Sequence, residues 1–145
     1  MRSVVLIPTY NEIDSLPSAL DRVRSAAVQA HILVIDDNSP DGTGALADAR
    51  AQSDDHIHVL HRTEKNGLGP AYLAGFKWAL ENDFELIIEM DADGSHRAED
   101  LALLIQRAEM ADKPDLVIGS RWISGGATQG WSQKRVLLSR AGNVY

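Results

Sequence analysis

Two aspartates, Asp91 and Asp93, stand one residue apart immediately after the apolar run Leu86-Ile87-Ile88-Glu89-Met90. In an extended segment, residues two apart project the same way. The two carboxylates are therefore expected to converge on one hard cation, Mg2+ or Mn2+, shared with substrate phosphates. Other acids also follow apolar runs: Glu12 comes after Val4-Val5-Leu6-Ile7, and Asp36 and Asp37 end His31-Ile32-Leu33-Val34-Ile35. Asp36-Asp37 admits two readings. An acid at a strand end can hydrogen-bond the base or ribose of a nucleoside, while acids in a turn such as Asp37-Asn38-Ser39-Pro40-Asp41-Gly42 often cap backbone donors. Asn66-Gly67-Leu68-Gly69-Pro70 is too short for a phosphate-binding fingerprint and reads as a tight turn opening a helix.

His96, three residues after Asp93, either lines the same site or starts a helix; His31, His56, His58 and His61 flank strands at polar positions. Arg121, Lys134, Arg135 and Arg140 form a basic segment with no Asp or Glu from residue 116 onward. It is either the solvated face of a helix or a receptor for a second anion, because guanidinium groups bind phosphate bidentately. Trp122 and Trp131 flank a Gly-rich stretch, 125–130, expected to be a mobile loop; the two indoles serve local packing or face a substrate or membrane. Val136-Leu137-Leu138 adds apolar surface of the kind a membrane-surface helix uses.

The elements that must carry these groups alternate. Apolar runs at 4–7, 31–35, 57–60, 86–90 and 116–119 predict five strands. Between them lie helical stripes: Ile13, Leu16, Leu20, Val23 and Ala27; Ala45, Leu46 and Ala49, capped by Asp41; Ala71, Ala74, Gly75, Trp78 and Ala79; Leu101, Leu104, Ile105 and Ala108. Such alternation predicts an α/β fold, a mostly parallel sheet with helices on both faces. Ligands in such sheets sit beyond the carboxyl ends of the strands, near the topological switch point.

Composition bounds the rest. The chain has 145 residues, 44% apolar and 24% charged, with 14 Lys+Arg against 21 Asp+Glu. This is the size of one domain, and disorder is excluded. A net charge of −7 disfavours a nucleic-acid partner, and the absence of cysteine excludes disulfides, thiolate metal sites and a Cys nucleophile. The first apolar run stops at Pro8, unlike a signal peptide, and no stretch approaches the ~20 apolar residues of a membrane span. A cytoplasmic protein is expected.

Val4 to Glu12, Val34 to Thr43, Gly67-Leu68-Gly69-Pro70-Ala71, Met90 to His96 and Gly119-Ser120-Arg121-Trp122 come in an order that resembles family 2 glycosyltransferases of GT-A fold. With Trp131, Arg135, Ser139-Arg140 and Asn143, the set is most similar to the dolichyl- or polyprenyl-phosphate mannosyltransferases, and Asp-Gly-Ser-His to their bacterial branch. The resemblance implies that Pro8, Tyr10, Glu12, Ile35 and Asp37 hold the guanosine of GDP-mannose. It implies that Asp91, Ala92 and Asp93 take the diphosphate, the two acids through Mg2+ or Mn2+, and that Arg121, Arg135 and Ser139 bind phosphates, including that of a polyprenyl or dolichyl phosphate acceptor. Asp91, Asp93, Arg121 and Arg135 are then the residues of catalysis, and the transfer inverts the anomer. A peripheral position at the cytoplasmic face of a membrane follows, with a membrane-protein partner compatible. Ser95 stands where some relatives offer a longer amide to the metal, and Arg97-Ala98 where the family often has proline. Relatives of this type run well past Tyr145, so residues 1–145 are expected to be a single GT-A domain truncated at its C-terminal end.

Glucosyl-transferring relatives that use UDP-glucose share most of these motifs. Ile32 to Asn38 also resembles a response-regulator receiver, but the acid pair falls on the second strand, and Lys113-Pro114 precedes the last strand instead of following it. A nucleotide-sugar-binding fragment without activity is a further alternative.

Overall fold

The computed structural model of the chain describes residues 1–123, 126, 128 and 131–142. They divide into two compact units, Met1–Pro114 and Asp115–Tyr145.

The first unit is a four-stranded parallel sheet in the order β3-β2-β1-β4, built from β1 (Ser3–Thr9), β2 (His31–Asp36), β3 (Ile57–His61) and β4 (Leu86–Glu89). Four helices cover it: α1 (Leu16–Ala26), α2 (Thr43–Ser53), α3 (Leu68–Glu81) and α4 (Leu101–Ala108). The two faces of β1 and β2 are read out residue by residue. Val5, Ile7, Ile32 and Val34 pack with Leu16, Leu20 and Val23 of α1, Ala47 of α2 and Leu101 of α4. Val4, Leu6, Leu33 and Ile35 pack with Ala71 and Ala79 of α3. Alternate residues of one strand thus serve opposite cores, which is why both strands are uninterruptedly apolar. The expected parallel sheet, covered on both faces, is present.

On α3, Gly75 faces the sheet: a Cβ there would lie 2.5 Å from Ile35 Cδ1 and 2.9 Å from Leu6 Cδ1, so only glycine allows this approach. On α2 the buried residues are Thr43, Gly44 and Ala47, while Ala45 and Ala49 of the expected stripe are exposed. The helix starts one residue after Gly42 and turns a different face inward.

Among the described residues the second unit holds one helix, α5 (Gln133–Ala141), and the Ser132 side chain at its N-cap accepts a hydrogen bond from the Arg135 backbone N–H. The expected strand at Leu116-Val117-Ile118-Gly119 is not formed; Leu116 and Ile118 are 73% and 74% exposed. An apolar run becomes a strand only when another strand takes its backbone groups, and this run has no such partner among the described residues. Of the expected loop over 125–130, Gly125, Ala127, Gln129 and Gly130 lie outside the described residues, as does Asn143. Among the described residues no helix is long and apolar enough to cross a membrane.

Three of the histidines expected at polar positions flanking strands, His31, His56 and His58, are partly buried and meet one another. His31 Nδ1 lies 2.9 Å from His58 Nε2, and the two rings stack, with His56 against His31. Phe84 meets His31 edge-on and Trp78 packs on His58, so the rings close the amino end of the α3-side core. Burial, then neighbouring His56, His58, Arg2 and Arg24, pushes the His31 imidazole down to about 4, and burial also lowers His58. A histidine with a lowered folded pKa favours the fold above its unfolded value, ~6.5, and that contribution is lost as pH falls. Unfolding midpoints in urea are therefore expected to hold steady above pH ~7 and to decline between ~6.5 and about 4, before carboxylate protonation adds its own loss. A His31→Gln variant with the same decline across that window would show that His31 is not its source.

A crevice between two strand ends and its aspartates

In the strand order β3-β2-β1-β4 the chain builds outward from β1 on one side and then crosses to the other. The switch point is between β1 and β4. Pro8 sharpens it. Leu6 accepts from the Met90 N–H at 3.1 Å, so even-numbered residues of β1 face β4, and odd-numbered ones face β2, as Thr9 does when it accepts from Asp37 N–H. Pro8 is therefore turned toward β4 with no N–H to give, and the β1–β4 pairing ends at Leu6↔Glu89 while β1–β2 continues to Thr9↔Asp36. The two strand ends part there, and the chain beyond each lines the gap.

The loop after β1 is held by the loop after β2. Asn11 N–H donates to Ser39 Oγ at 3.0 Å, Glu12 N–H to Thr43 Oγ1 at 2.9 Å, and Ile13 N–H to Asp41 Oδ2 at 3.2 Å. Each hydroxyl passes its own proton to a carboxylate: Ser39 to Asp36 Oδ1 at 2.6 Å and Thr43 to Asp41 Oδ1 at 2.6 Å. Asp36 is 3% exposed and also accepts from Ser39 N–H and Thr9 Oγ1. It is a structural acid; the capping reading fits it. Asp41 lies one residue before the helix N-cap, Gly42, and accepts the Thr43 N–H. The Thr43 hydroxyl holds the Asp41 carboxyl below the usual range.

Asp37 differs. It is 5% exposed, and its Oδ1 accepts from Arg62 Nη1 at 2.6 Å. Tyr10 is 37% exposed with the Lys65 ammonium 3.9 Å above its ring. The Glu12 carboxylate takes the Ser15 hydroxyl. Pro8 is half-buried, whereas Ile35 is fully buried with its side chain under Gly75, so only its main chain reaches the edge. Arg62 and Lys65 were not singled out by motif reading. Their signal was position alone, one residue and four residues past the end of β3.

On the other side, β4 ends at Glu89 and the chain turns at Ala92-Asp93-Gly94, with Gly94 at φ +77°. The expected extended Asp-x-Asp is thus corrected to a turn. Burial still alternates through it. Met90 and Ala92 enter the core, Asp91 is half-buried and Asp93 exposed. Asp91 Oδ1 accepts from Tyr72 Oη of α3 at 3.4 Å, and the Asp91 N–H donates to His96 Nδ1 at 3.0 Å. That bond leaves the proton of neutral His96 on Nε2, 3.9 Å from Asp91 Oδ2. Burial, then the Asp91 and Glu89 charges, pushes the Tyr72 phenol well above its ordinary value, so it stays a donor. Asp93 Oδ1 accepts the Ser95 N–H at 2.8 Å. The loop is tied back to α1 by a two-point ion pair, Arg22 to Glu99, both contacts 3.0 Å, which draws the Glu99 carboxyl down to about 2.

In the second unit, Arg121 and Arg135 share the Trp131 ring, at 4.7 and 4.1 Å from its centroid, and Arg140 lies 5.0 Å from that of Trp122. Ser139 is on α5. Of the expected site residues, Pro8, Tyr10, Glu12, Ile35, Asp37, Asp91, Ala92 and Asp93 gather at the carboxyl edge of the sheet. Arg121 and Arg135 meet on one indole.

A parallel sheet with paired loops and an Asp-x-Asp turn at its switch point is an α/β domain of GT-A type. A family model described as glycosyl transferase family 2 matches residues 4–143. The chain belongs to glycosyltransferase family 2. It is 52% identical over 145 residues to an undecaprenyl-phosphate mannosyltransferase of Micrococcus luteus, covering 100% of this chain and 58% of that protein. It is 52% identical to a polyprenol monophosphomannose synthase of Mycolicibacterium smegmatis, covering 99% and 54%. The chain thus spans little more than half the length of these relatives. A mannosyltransferase from Pyrobaculum calidifontis, solved with GDP-Man and Mn2+, superposes with a TM-score of 0.65 at 25% identity, over 76% of this chain and 33% of that one. The receiver alternative is set aside by the family match.

Thr43 is fully buried, so losing its hydroxyl orphans the Glu12 N–H. Thr43→Val is expected to cost about 1–3 kcal/mol in urea unfolding, the penalty of a buried unpaired donor. A loss below ~0.5 kcal/mol would mean that the loop after β1 is not held this way.

Proposed function

We propose that this chain carries the donor-handling part of an inverting, metal-dependent transferase that moves mannose from GDP-mannose to a polyprenyl or dolichyl phosphate. The observation that carries the reading is the placement of Asp91 and Asp93 across the switch-point crevice from the paired loops bearing Tyr10, Glu12 and Asp37. The two relatives at 52% identity support the substrates.

The donor set fits a hard divalent ion. Asp91 and Asp93 offer oxygen, and among the described residues no group of three His, Cys, Asp or Glu could enclose a metal. Two carboxylates with substrate phosphates and water is the usual way Mg2+ is bound, and Mn2+ accepts the same oxygen ligands. When bound, the ion supplies charge neutralisation to the departing diphosphate. Tyr72 and His96 fix the Asp91 carboxylate and its backbone for that task. Pro8, Tyr10, Glu12, Ile35 and Asp37 hold the guanosine, and Ala92 lines the diphosphate. Arg121, Arg135 and Ser139 hold phosphate, including that of the acceptor.

A phosphate monoester has its second pKa near ~6, so the acceptor is largely dianionic at neutral pH and is its own nucleophile. Its oxygen forms the new bond to the sugar C1 as the bond from C1 to the β-phosphate oxygen of GDP breaks. The products are polyprenyl-phosphate mannose and GDP. Such a reaction needs positive positioning groups more than a strong base. The enzyme works at the cytoplasmic face of a membrane as a peripheral protein, with exposed Leu137 and Leu138 of α5 at the lipid side.

Protein is mixed with polyprenyl phosphate, Mg2+ or Mn2+ and labelled GDP-mannose or UDP-glucose, and label is counted in the organic phase. GDP-mannose is expected to deliver label, a chelator to abolish it, and Asp93→Ala to lower it about a thousandfold, equivalent to roughly 4 kcal/mol of transition-state charge stabilisation. Label from UDP-glucose alone overturns the donor. Undiminished transfer by Asp93→Ala overturns the metal site, and binding of GDP-mannose without transfer leaves a binding module.

A further inference from the structure

Arg62 has no part in the reading above, yet among the described residues it makes the most buried ion pair: its side chain is 15% exposed and that of Asp37 is 7%. One guanidinium nitrogen, Nη1, donates to Asp37 Oδ1 at 2.6 Å, and Nη2 donates to Asn66 Oδ1 at 3.2 Å. Its backbone N–H donates to Asp36 O at 2.8 Å, which pins Arg62 beside the end of β2. Asp37 is pinned from the other side, its N–H donating to Thr9 O at 3.1 Å. Both ends of the ion pair are therefore fixed by main chain, and a charge-assisted bond to Oδ1 restrains the rotation of the carboxylate.

A pair this buried is poor evidence of added stability, because desolvating two charges offsets most of their attraction. What it does supply is an oriented acceptor at a strand end. We infer that Arg62 is a positioning residue for recognition of the donor base: it holds the Asp37 carboxylate turned so that it accepts two parallel N–H groups from guanine. This rests on the assignment of Asp37 to the nucleoside. The chemistry is selective. Guanine presents a ring N–H beside an exocyclic amine, hypoxanthine lacks the amine, and uracil presents one ring N–H between two carbonyls. A carboxylate that is free to rotate loses the second bond first. Lysine at 62 keeps the charge but not the planar fork, so it restores only part of the effect.

The experiment measures binding of GDP, IDP and UDP by calorimetry, with Mn2+ present, for the chain and for Arg62→Lys, Arg62→Gln and Asp37→Asn. Arg62→Gln is expected to weaken GDP roughly tenfold or more, the size of losing a hydrogen bond with a charged partner, and to erase most of the preference for GDP over IDP. Arg62→Lys is expected to fall between the two. Equal losses for GDP and IDP, with the preference kept, would reduce Arg62 to a structural role and overturn the inference. If Asp37→Asn erases the preference while Arg62→Gln keeps it, the inference falls and the base assignment stands. If Asp37→Asn also keeps the preference, the base assignment falls as well. Should Arg62→Gln fail to fold, the GDP-to-IDP ratio of Arg62→Lys decides by the same criterion.

Discussion

Two hydroxyls hold the working edge of this domain together. Ser39 and Thr43 each accept a backbone N–H from the loop after β1 and donate to a carboxylate, Asp36 at the end of β2 and Asp41 in the loop that follows. A serine or threonine hydroxyl has one proton to give and two lone pairs, so it can serve in both directions at once. Hydrogen bonds of a hydroxyl to a carboxylate are of the stronger, charge-assisted kind. Asn11 and Asn38 both sit at φ near +60°, in left-handed backbone that asparagine tolerates better than most residues. The two loops are therefore one rigid piece, and Tyr10, Glu12 and Asp37 are fixed with respect to each other before any ligand arrives. That matters energetically, since ordering loops on binding subtracts directly from affinity.

The opening beside that piece depends on a missing hydrogen. Pro8 cannot extend the ladder to β4, so the sheet stops pairing on one side of β1 three residues before it stops on the other. The aspartate turn after β4 is then supported independently, by Tyr72 from α3 on Asp91, by His96 on its backbone, and by the Arg22–Glu99 pair beyond. Gly75 contributes from behind the sheet. It lets α3 lie close over Leu6 and Ile35, and the same helix carries Tyr72 to the crevice.

The order of strands and helices was legible because uninterrupted apolar runs and three-four spacing report burial, and burial is what makes this sheet. The acids at the carboxyl edge were legible for the same reason: once strands are parallel, their ends share an edge. What failed are the features that need a partner to exist. Leu116-Val117-Ile118-Gly119 has the composition of a strand, but a strand is a relation between two segments. His31 and His58 look like polar edge residues until β2 and β3 pair and bring the two rings against one another. Arg62 was silent because nothing local distinguishes an arginine after a strand from a solvated one. Only the register of β2 with β3 brings it to Asp37. Asp36 and Asp37 show the limit most sharply. They are adjacent and equally buried, yet one is consumed by its own turn and the other faces a cation.

The second unit handles charge differently from the first. In the first, arginines other than Arg2, which lies over the Phe84 ring, end on carboxylates, as Arg22 does on Glu99, Arg24 on Asp54 and Arg62 on Asp37. From residue 116 onward the sequence has no carboxylate, and its arginines lie on indole faces instead: Arg121 and Arg135 on Trp131, Arg140 on Trp122. An indole fixes a guanidinium by dispersion and by its ring quadrupole without neutralising it. The plane of the fork is set while its N–H edge keeps its full charge, which is the state in which it can take a phosphate through two parallel hydrogen bonds. Under the proposed reaction this is the chemically sensible choice. A carboxylate beside these arginines would compete with the acceptor phosphate for the same donors and would repel a dianion, whereas a ring that orients the cation does neither.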